Sequence, residues 1–250
     1  MSSEKLLSTA VSLYQNSFDR VGVVSNLCEI MEGIKSGKWQ RQVEQVRGAK
    51  DRDNLKQKIP AFTASGLFTG RNANGLQAHS GRIAIDFDLQ DNPTLETGLE
   101  AVRKVLQEDR YSEYVSLSVS GKGLFVIAKI DGSKHAESFT FLEAYYQTDY
   151  RLTIDKACKD VSRLRFVSYD PNLYHNENAE TVIVPDTEDF GELTQEDFKT
   201  YQSGQNDNKA VMDAIIQSGK LIGDDSYGDW VKIGLALANT FGESGRQYFH

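Results

Sequence analysis

The sequence predicts an α+β fold: a mixed or antiparallel sheet with helices packed on it, followed by a small all-α segment. Three observations predict it. Three short apolar runs, RIAIDFDL (82–89), YVSLSVS (114–120) and LFVIAKI (124–130), read as strands. The last two are separated only by Gly121-Lys122-Gly123, a tight hairpin signal, so the strands do not follow regular βαβ alternation. Before and between them lie stretches with apolar residues at helical spacing.

Taken in order, Leu6, Leu7, Val11, Leu13 and Tyr14 suggest a short N-terminal helix. Val24, Leu27, Cys28 and Met31 suggest a second element. Residues 37–58 read as helix interrupted at Gly48, with Val43, Val46 and Leu55 inward, ended by Pro60. Phe62 to Ser80 is rich in Gly, Ser, Thr and Asn and reads as loop. After the strand at 82–89, Asn92-Pro93 is a turn. Leu95–Asp109 is an amphipathic helix with Leu99, Val102, Val105 and Leu106 inward. The hairpin follows, then a helix over Ser138–Tyr150. Short strands at 162–169 and 180–185 flank an Asp170-Pro171 turn. Residues 186–208 are acidic and polar and read as a linker, and 209–250 read as helical. The last segment looks cut in mid-element, so the expectation is a fragment of a longer protein. The domain organisation expected is therefore 1–185, with a basic and mainly helical part to residue 80 and a sheet-bearing part from 81; then the linker; then the helical module.

Composition narrows the function. An apolar share of 39% supports a real core, and no apolar run approaches a membrane span. The N-terminus lacks the basic-then-apolar pattern of a signal peptide. The two cysteines, Cys28 and Cys158, make neither a disulfide framework nor a four-thiolate zinc site, so the expectation is a reducing, cytoplasmic setting. No two of the four histidines stand at i,i+3 or i,i+4, which argues against a zincin-type centre. The net charge of −8 hides an asymmetry: residues 33–82 carry ten Lys/Arg against three acids, net +7. Residues 176–230 carry thirteen acids against three lysines, net −10. A local basic face binds phosphates inside an acidic protein, because more distant charges are screened. A solvated helix face is the plainer reading of the same residues.

The sharpest chemical feature is Asp86-Phe87-Asp88. Strand side chains alternate, so Ile83, Ile85, Phe87 and Leu89 share one face, and Ala84, Asp86 and Asp88 the other. Two carboxylates about 6–7 Å apart on an apolar strand need a neutralising partner. A divalent cation such as Mg²⁺ or Mn²⁺ supplies it; a wet edge strand is the alternative. Ser120, Gly121 and Lys122 then offer a hydroxyl, a glycine turn and a cation for phosphate, or a plain β-turn. Arg163 and Arg165 alternate with Leu164 and Phe166, so both guanidiniums face one way. They suit phosphates, or pair with the aspartates above. Asp155 or Asp160 offers a third carboxylate.

This order of motifs resembles the archaeo-eukaryotic primase superfamily: an hhhDhD strand, a helix, an S-x-S-G-K-G hairpin, a hydrophobic-Asp step and S-R-L-R-F. More narrowly it resembles the primase-polymerase domain that precedes virulence-associated-E-like helicases in mobile elements and phages. The segments GKWQRQVEQVR, LKQKIPAFTASGLF and SYDPNLYHN fit that subtype, and YGDWVKIGLALANTFGESGRQYFH resembles the start of the family's helical C-terminal module. The resemblance implies a primase-polymerase core, and an enzyme that transfers nucleotidyl groups on a single-stranded DNA template. It implies two Mg²⁺ or Mn²⁺ ions on Asp86, Asp88 and Asp155, with Asp160 the fallback. It implies nucleoside triphosphate binding through Ser120, Gly121, Lys122, Arg163 and Arg165, and a helicase or ATPase domain as partner. Template contacts fall on the basic segment: Lys38, Trp39, Arg41, Arg47, Lys56 and Lys58, with Trp39 or Phe62 stacking on bases. One departure stands out. Where the family's second motif ends in histidine, this chain has Phe125, which leaves phosphate binding to Ser120, Lys122 and backbone amides. That substitution keeps a rival open: a catalytically degenerate module that binds single-stranded DNA or initiates replication. A D-x-D glycosyltransferase would need βαβ units before Arg82, and a relaxase would need an H-x-H pair; neither is present.

Overall fold

The computed structural model describes residues 9–184. By its contacts the chain divides into Met1–Ile183 and Val184–His250. The linker expected over 186–208 and the helices expected over 209–250 lie outside the described residues.

The first unit is a mixed α+β fold built on two larger sheets. One has the order β2-β1-β3-β9, all antiparallel: β1 (Ala10–Tyr14), β2 (Val23–Asn26), β3 (Ala61–Thr63) and β9 (Arg165–Phe166). The other centres on β8 (Leu124–Ile130), which pairs antiparallel with β6 (Arg82–Phe87) and β7 (Ser112–Leu117). There β10 (Tyr174–His175) extends the sheet beyond β7, and β11 (Thr181–Val182) runs parallel to the end of β8. A small hairpin, β4 (Gly66–Phe68) with β5 (Leu76–His79), completes the strands.

Helix α1 (Leu27–Ser36) shows how sequence dictates an element. Leu27, Ile30, Met31 and Ile34 fall at i, i+3, i+4 and i+7 and are all at most 1% exposed. Each such burial stabilises by about 1.5–3 kcal/mol. The Asn26 side chain caps the start by accepting from the Cys28 amide, and Gly37 ends the helix at φ 86°. Next come α2 (Gln40–Gly48) and the short α3 (Arg52–Lys56), so the expected helix breaks after Gly48. These helices pack with β1 and β3 on Phe125 and Ile127 of β8. The opposite face of the second sheet carries Ile83, Ile85 and Phe87, all fully buried. Phe87 meets Tyr146 of α5 (His135–Tyr150) edge to face. Helix α4 (Leu95–Glu108) contacts β7.

Two expectations fail, both for tertiary reasons. Residues 10–14 form a strand, not a helix. Ala10, Val11, Ser12 and Tyr14 are all buried, so both faces of β1 are covered and its apolar residues lose their period of two. Phe62–Ser80 is not a plain loop but carries most of β3 and all of β4 and β5; these short strands, set in a Gly/Ser-rich stretch, are held by pairing, not propensity. The strand expected at 162–169 shrinks to Arg165–Phe166, and that at 180–185 to Thr181–Val182.

A buried histidine pair ties β5 to α5. His79 Nε2 lies 3.1 Å from His135 Nδ1. The Gly81 amide donates to His79 Nδ1, so His79 carries its proton on Nε2 and donates it to His135. Burial, then the His79 neighbour, pushes the His135 pKa down to about 4. Among the described residues no helix is long and apolar enough to cross a membrane.

Candidate functional site

Asp86 stands on β6 directly opposite Phe125 of β8, on the face that looks toward the first sheet. Asp88 follows just past the end of the strand and is exposed. Its carbonyl accepts from the backbone and side-chain nitrogens of Asn92, both at 3.0 Å. Asn92 is 3% exposed. It also donates to Thr153 O at 2.8 Å and accepts from Thr153 N at 2.7 Å. Asn92 therefore ties the segment after β6 to the segment that carries Asp155. Sequence reasoning read it only as a turn residue.

Asp155 is brought in twice over. Its own amide donates to the Asp86 carbonyl at 3.0 Å. Its carboxylate caps a 3-10 turn, Lys156–Lys159, by accepting from Ala157 N. That turn delivers Cys158, three residues on, to the same side. One ligand atom each of Asp86, Asp155 and Cys158 all lie within 4.8 Å of one another. The Cys158 thiol is 2% exposed and 3.8 Å from Asp86 Oδ2. Burial, then the Asp86 charge, pushes its pKa up to about 12, so the thiol is neutral at neutral pH. Asp160 is not part of this group: its Oδ1 accepts from Ser162 N and Oγ, both at 2.9 Å.

Both arginines turn onto the carboxylates. Arg165 reaches from β9 in the first sheet to Asp86 in the second, Nη2 to Oδ2 at 2.5 Å. Its guanidinium lies 4.4 Å from the centre of the Phe125 ring. Arg163 is more exposed and meets Asp155 Oδ2 at 2.9 Å. Of the two partners that the sequence left open for these arginines, aspartate is the one present. Asp88 bears the cost. Its carboxyl pKa is raised, first by the protein mass around it and then by the Asp86 charge; Lys56 opposes the shift.

The hairpin between β7 and β8 lies directly against this group. A Cβ on Gly123 would stand 2.7 Å from Phe87 O and 3.4 Å from Asp88 Oδ1, so only glycine fits. Gly121 holds φ 69° with the Arg47 side chain packed on it. Inside the turn, Gly121 N donates to Ser118 O, and Lys122 N donates to Ser120 Oγ. Two amides expected to face phosphate are therefore spent locally. The Lys122 side chain is exposed and makes no ion pair among the described residues.

The basic segment divides. Lys38, Arg41 and Lys58 are exposed and Lys56 is half-buried, with Lys56 near enough to lower the Asp88 pKa. Arg47 is a clamp instead: it donates to Val119 O, Ser118 O, Tyr169 O and Ser168 Oγ. Two expectations about stacking are corrected. Trp39 is 7% exposed and Phe62 is fully buried, both within one core cluster, so neither ring has a free face for a base.

Residues 54–175 match the family model described as BT4734-like, N-terminal domain. The matched stretch includes every acid and arginine of this cluster. No curated protein and no solved structure matches the chain.

Proposed function

We propose that the chain is a primase-polymerase-type nucleotidyltransferase that works on a single-stranded DNA template with divalent cations. The observation that carries this reading is the convergence of Asp86, Asp155 and Cys158 within 4.8 Å, beside an Asp88 carboxyl whose pKa is raised by burial and then by the Asp86 charge. Like charges held together in a half-buried cleft favour a cation. Of the converging donors, Asp86 and Asp155 offer hard carboxylate oxygens that suit Mg²⁺ or Mn²⁺; Asp88 lies outside that group and would add a third. Ions bound there supply Lewis-acid activation of a 3′-hydroxyl and charge stabilisation of a leaving pyrophosphate.

The protein's own groups do the rest. Asp155 is locked to the Asp86 backbone, so the two carboxylates keep their spacing as the cleft loads. Arg165 and Arg163 balance Asp86 and Asp155, and their guanidiniums would be the groups to hold phosphate oxygens beside a bound cation. Phe125 supports this instead of impairing it, because its ring is the platform on which the Arg165 guanidinium lies. The hairpin lysine, Lys122, adds a mobile charge for the triphosphate. Lys38, Arg41, Lys56 and Lys58 offer the template a basic approach.

The biological setting in this reading is replication of a mobile element or phage, with a helicase or ATPase domain as partner. The degenerate single-strand-binding reading draws support from one observation: Arg165 already neutralises Asp86 at 2.5 Å. Template-dependent incorporation of labelled nucleotides separates the two. Wild type is expected to incorporate with Mg²⁺ or Mn²⁺, and Asp86→Asn/Asp88→Asn to lose at least ~100-fold, on the scale of losing transition-state charge stabilisation. Wild-type silence with intact single-strand binding selects the degenerate reading.

A further inference from the structure

The turn between β1 and β2 presents an exposed phenylalanine beside two arginines, well apart in sequence from the Asp86 group. Phe18 is 65% exposed, and Val21, Val23 and Val24 on the same hairpin are also exposed. The turn is not loose. Asn16 Oδ1 accepts from Phe18 N and Asp19 N. Ser17 N donates to Gln57 O at 2.9 Å, and Arg71 N donates to Arg20 O at 3.0 Å. Arg71 Nη1 also donates to Ser17 O. The backbone that carries the ring is thus held by bonds to two other segments.

Between this turn and the loop joining β4 to β5 lies an open groove of about 440 Å³, lined by Ser17, Phe18, Arg20, Gly70, Arg71 and Asn72. That volume falls within the range of roughly 300–1,000 Å³ typical of ligand sites. Two guanidiniums, Arg20 and Arg71, stand against one carboxylate, Asp19, so its charge is net positive. The one acid on the turn, Asp19, spends its oxygens on Gln15 N and Asn16 Nδ2. The Arg20 side chain has no partner among the described residues.

We infer that this groove binds a single strand of nucleic acid, with a base stacked on Phe18 and the sugar-phosphate chain against Arg20 and Arg71. A flat ring beside two guanidiniums is the pairing that single strands need: a stacking platform plus backbone charge, independent of base identity. An acidic peptide would use the arginines but leave the ring uncovered. The choice of nucleic acid rests on the proposed template chemistry, and the groove replaces Trp39 and Phe62 as the place where a base can stack.

The test is fluorescence anisotropy of a labelled oligo-dT with the full chain, in EDTA and without nucleotides, over a salt series. Wild type is expected to bind with a salt-dependent affinity. Phe18→Ala should weaken binding about tenfold or more with an unchanged salt slope. Arg20→Ala should lower the slope by about 0.7, the value for one phosphate contact on a single strand. Both side chains are exposed, so unchanged thermal melts confirm that the variants fold. Wild-type affinity and slope in both variants overturn the inference. So does a wild-type chain that fails to bind, or one that instead forms a concentration-dependent dimer abolished by Phe18→Ala. Because the cation is chelated and no catalysis is read, failure of the proposed enzyme leaves this readout untouched, and the two readings are scored separately.

Discussion

Arg103 meets Asp170 at 2.6 Å, and Arg165 meets Asp86 at 2.5 Å. Both arginines are almost fully buried, yet the aspartates are treated differently. Asp170 also accepts from Ser116 Oγ, Leu117 N and Asn172 N, so its oxygens are saturated, and Arg103 has a second, exposed acid in Glu100 at 3.5 Å. Among the described residues, the Asp86 side chain has Arg165 and the neutral Cys158 thiol as partners, with Asp88 and Asp155 crowding in. The first pair locks α4 to the turn after Ser168. The second leaves acid groups in excess around a buried arginine. A buried ion pair is thus not one kind of object: the count of acids and donors around it decides whether it is a rivet or a seat for a cation.

That contrast breaks if the two pairs respond alike to loss of the acid. Asp170→Ala strands a 4%-exposed guanidinium and orphans the Leu117 amide. We expect a loss of ~3–5 kcal/mol in chemical denaturation. Asp86→Asn should cost less, about 1–2 kcal/mol, because Asp88 and Asp155 remain to balance Arg165. A loss for Asp86→Asn as large as that for Asp170→Ala would mean that the neighbours do not share the charge.

The histidine pair sharpens the comparison through pH. His135 has a folded pKa of about 4, below the ordinary value near 6.5, so the unfolded chain takes up the proton first. Stability is full above pH ~6.5 and falls as pH drops toward ~4, by up to ~3 kcal/mol from this group. A stability–pH curve that stays flat over that window rules out a neutral buried pair. Asp88 runs the other way. Its raised pKa means that the folded state holds the proton more tightly, so stability falls as pH rises from the unfolded carboxyl value through the folded one. Millimolar Mn²⁺ should therefore raise the melting temperature at pH 7.5 and do so less at pH 4.5. An equal shift in Asp86→Asn/Asp88→Asn would place the ion elsewhere. The smallest effect is expected for Arg163→Ala, whose side chain is 47% exposed in its bridge to Asp155. Stability should change by less than ~1 kcal/mol; on the proposed function, nucleotide KM should rise.

Much of the second sheet was legible. The alternation Ile83, Ile85, Phe87 against Ala84 and Asp86 placed the acid on its face, and Gly121-Lys122-Gly123 announced the hairpin. What escaped were features set by distant contacts. Residues 10–14 mimic helical spacing because both faces of that strand are covered. Trp39 and Phe62 look like stacking rings until the core closes over them. Cys158 reads in the sequence only as one of two thiols in a reducing setting, and its signal was the three-residue step from Asp155, which a 3-10 turn converts into a shared side. Asn92 hides behind its proline. Arg165 carried both partners in its sequence context, and only the crossing from one sheet to the other places it on Asp86.

The amide of Asp155, donated to the carbonyl of Asp86, has a use beyond holding two acids at fixed spacing. It is a native isotope probe at the seam of the cleft. When the segment after α5 lifts from β6, that proton becomes exchangeable with solvent deuterium while the amides of β8 stay protected. Its exchange rate, followed by NMR on the whole chain, reports how often the cleft opens. Its slowing on cation addition would measure closure without any turnover.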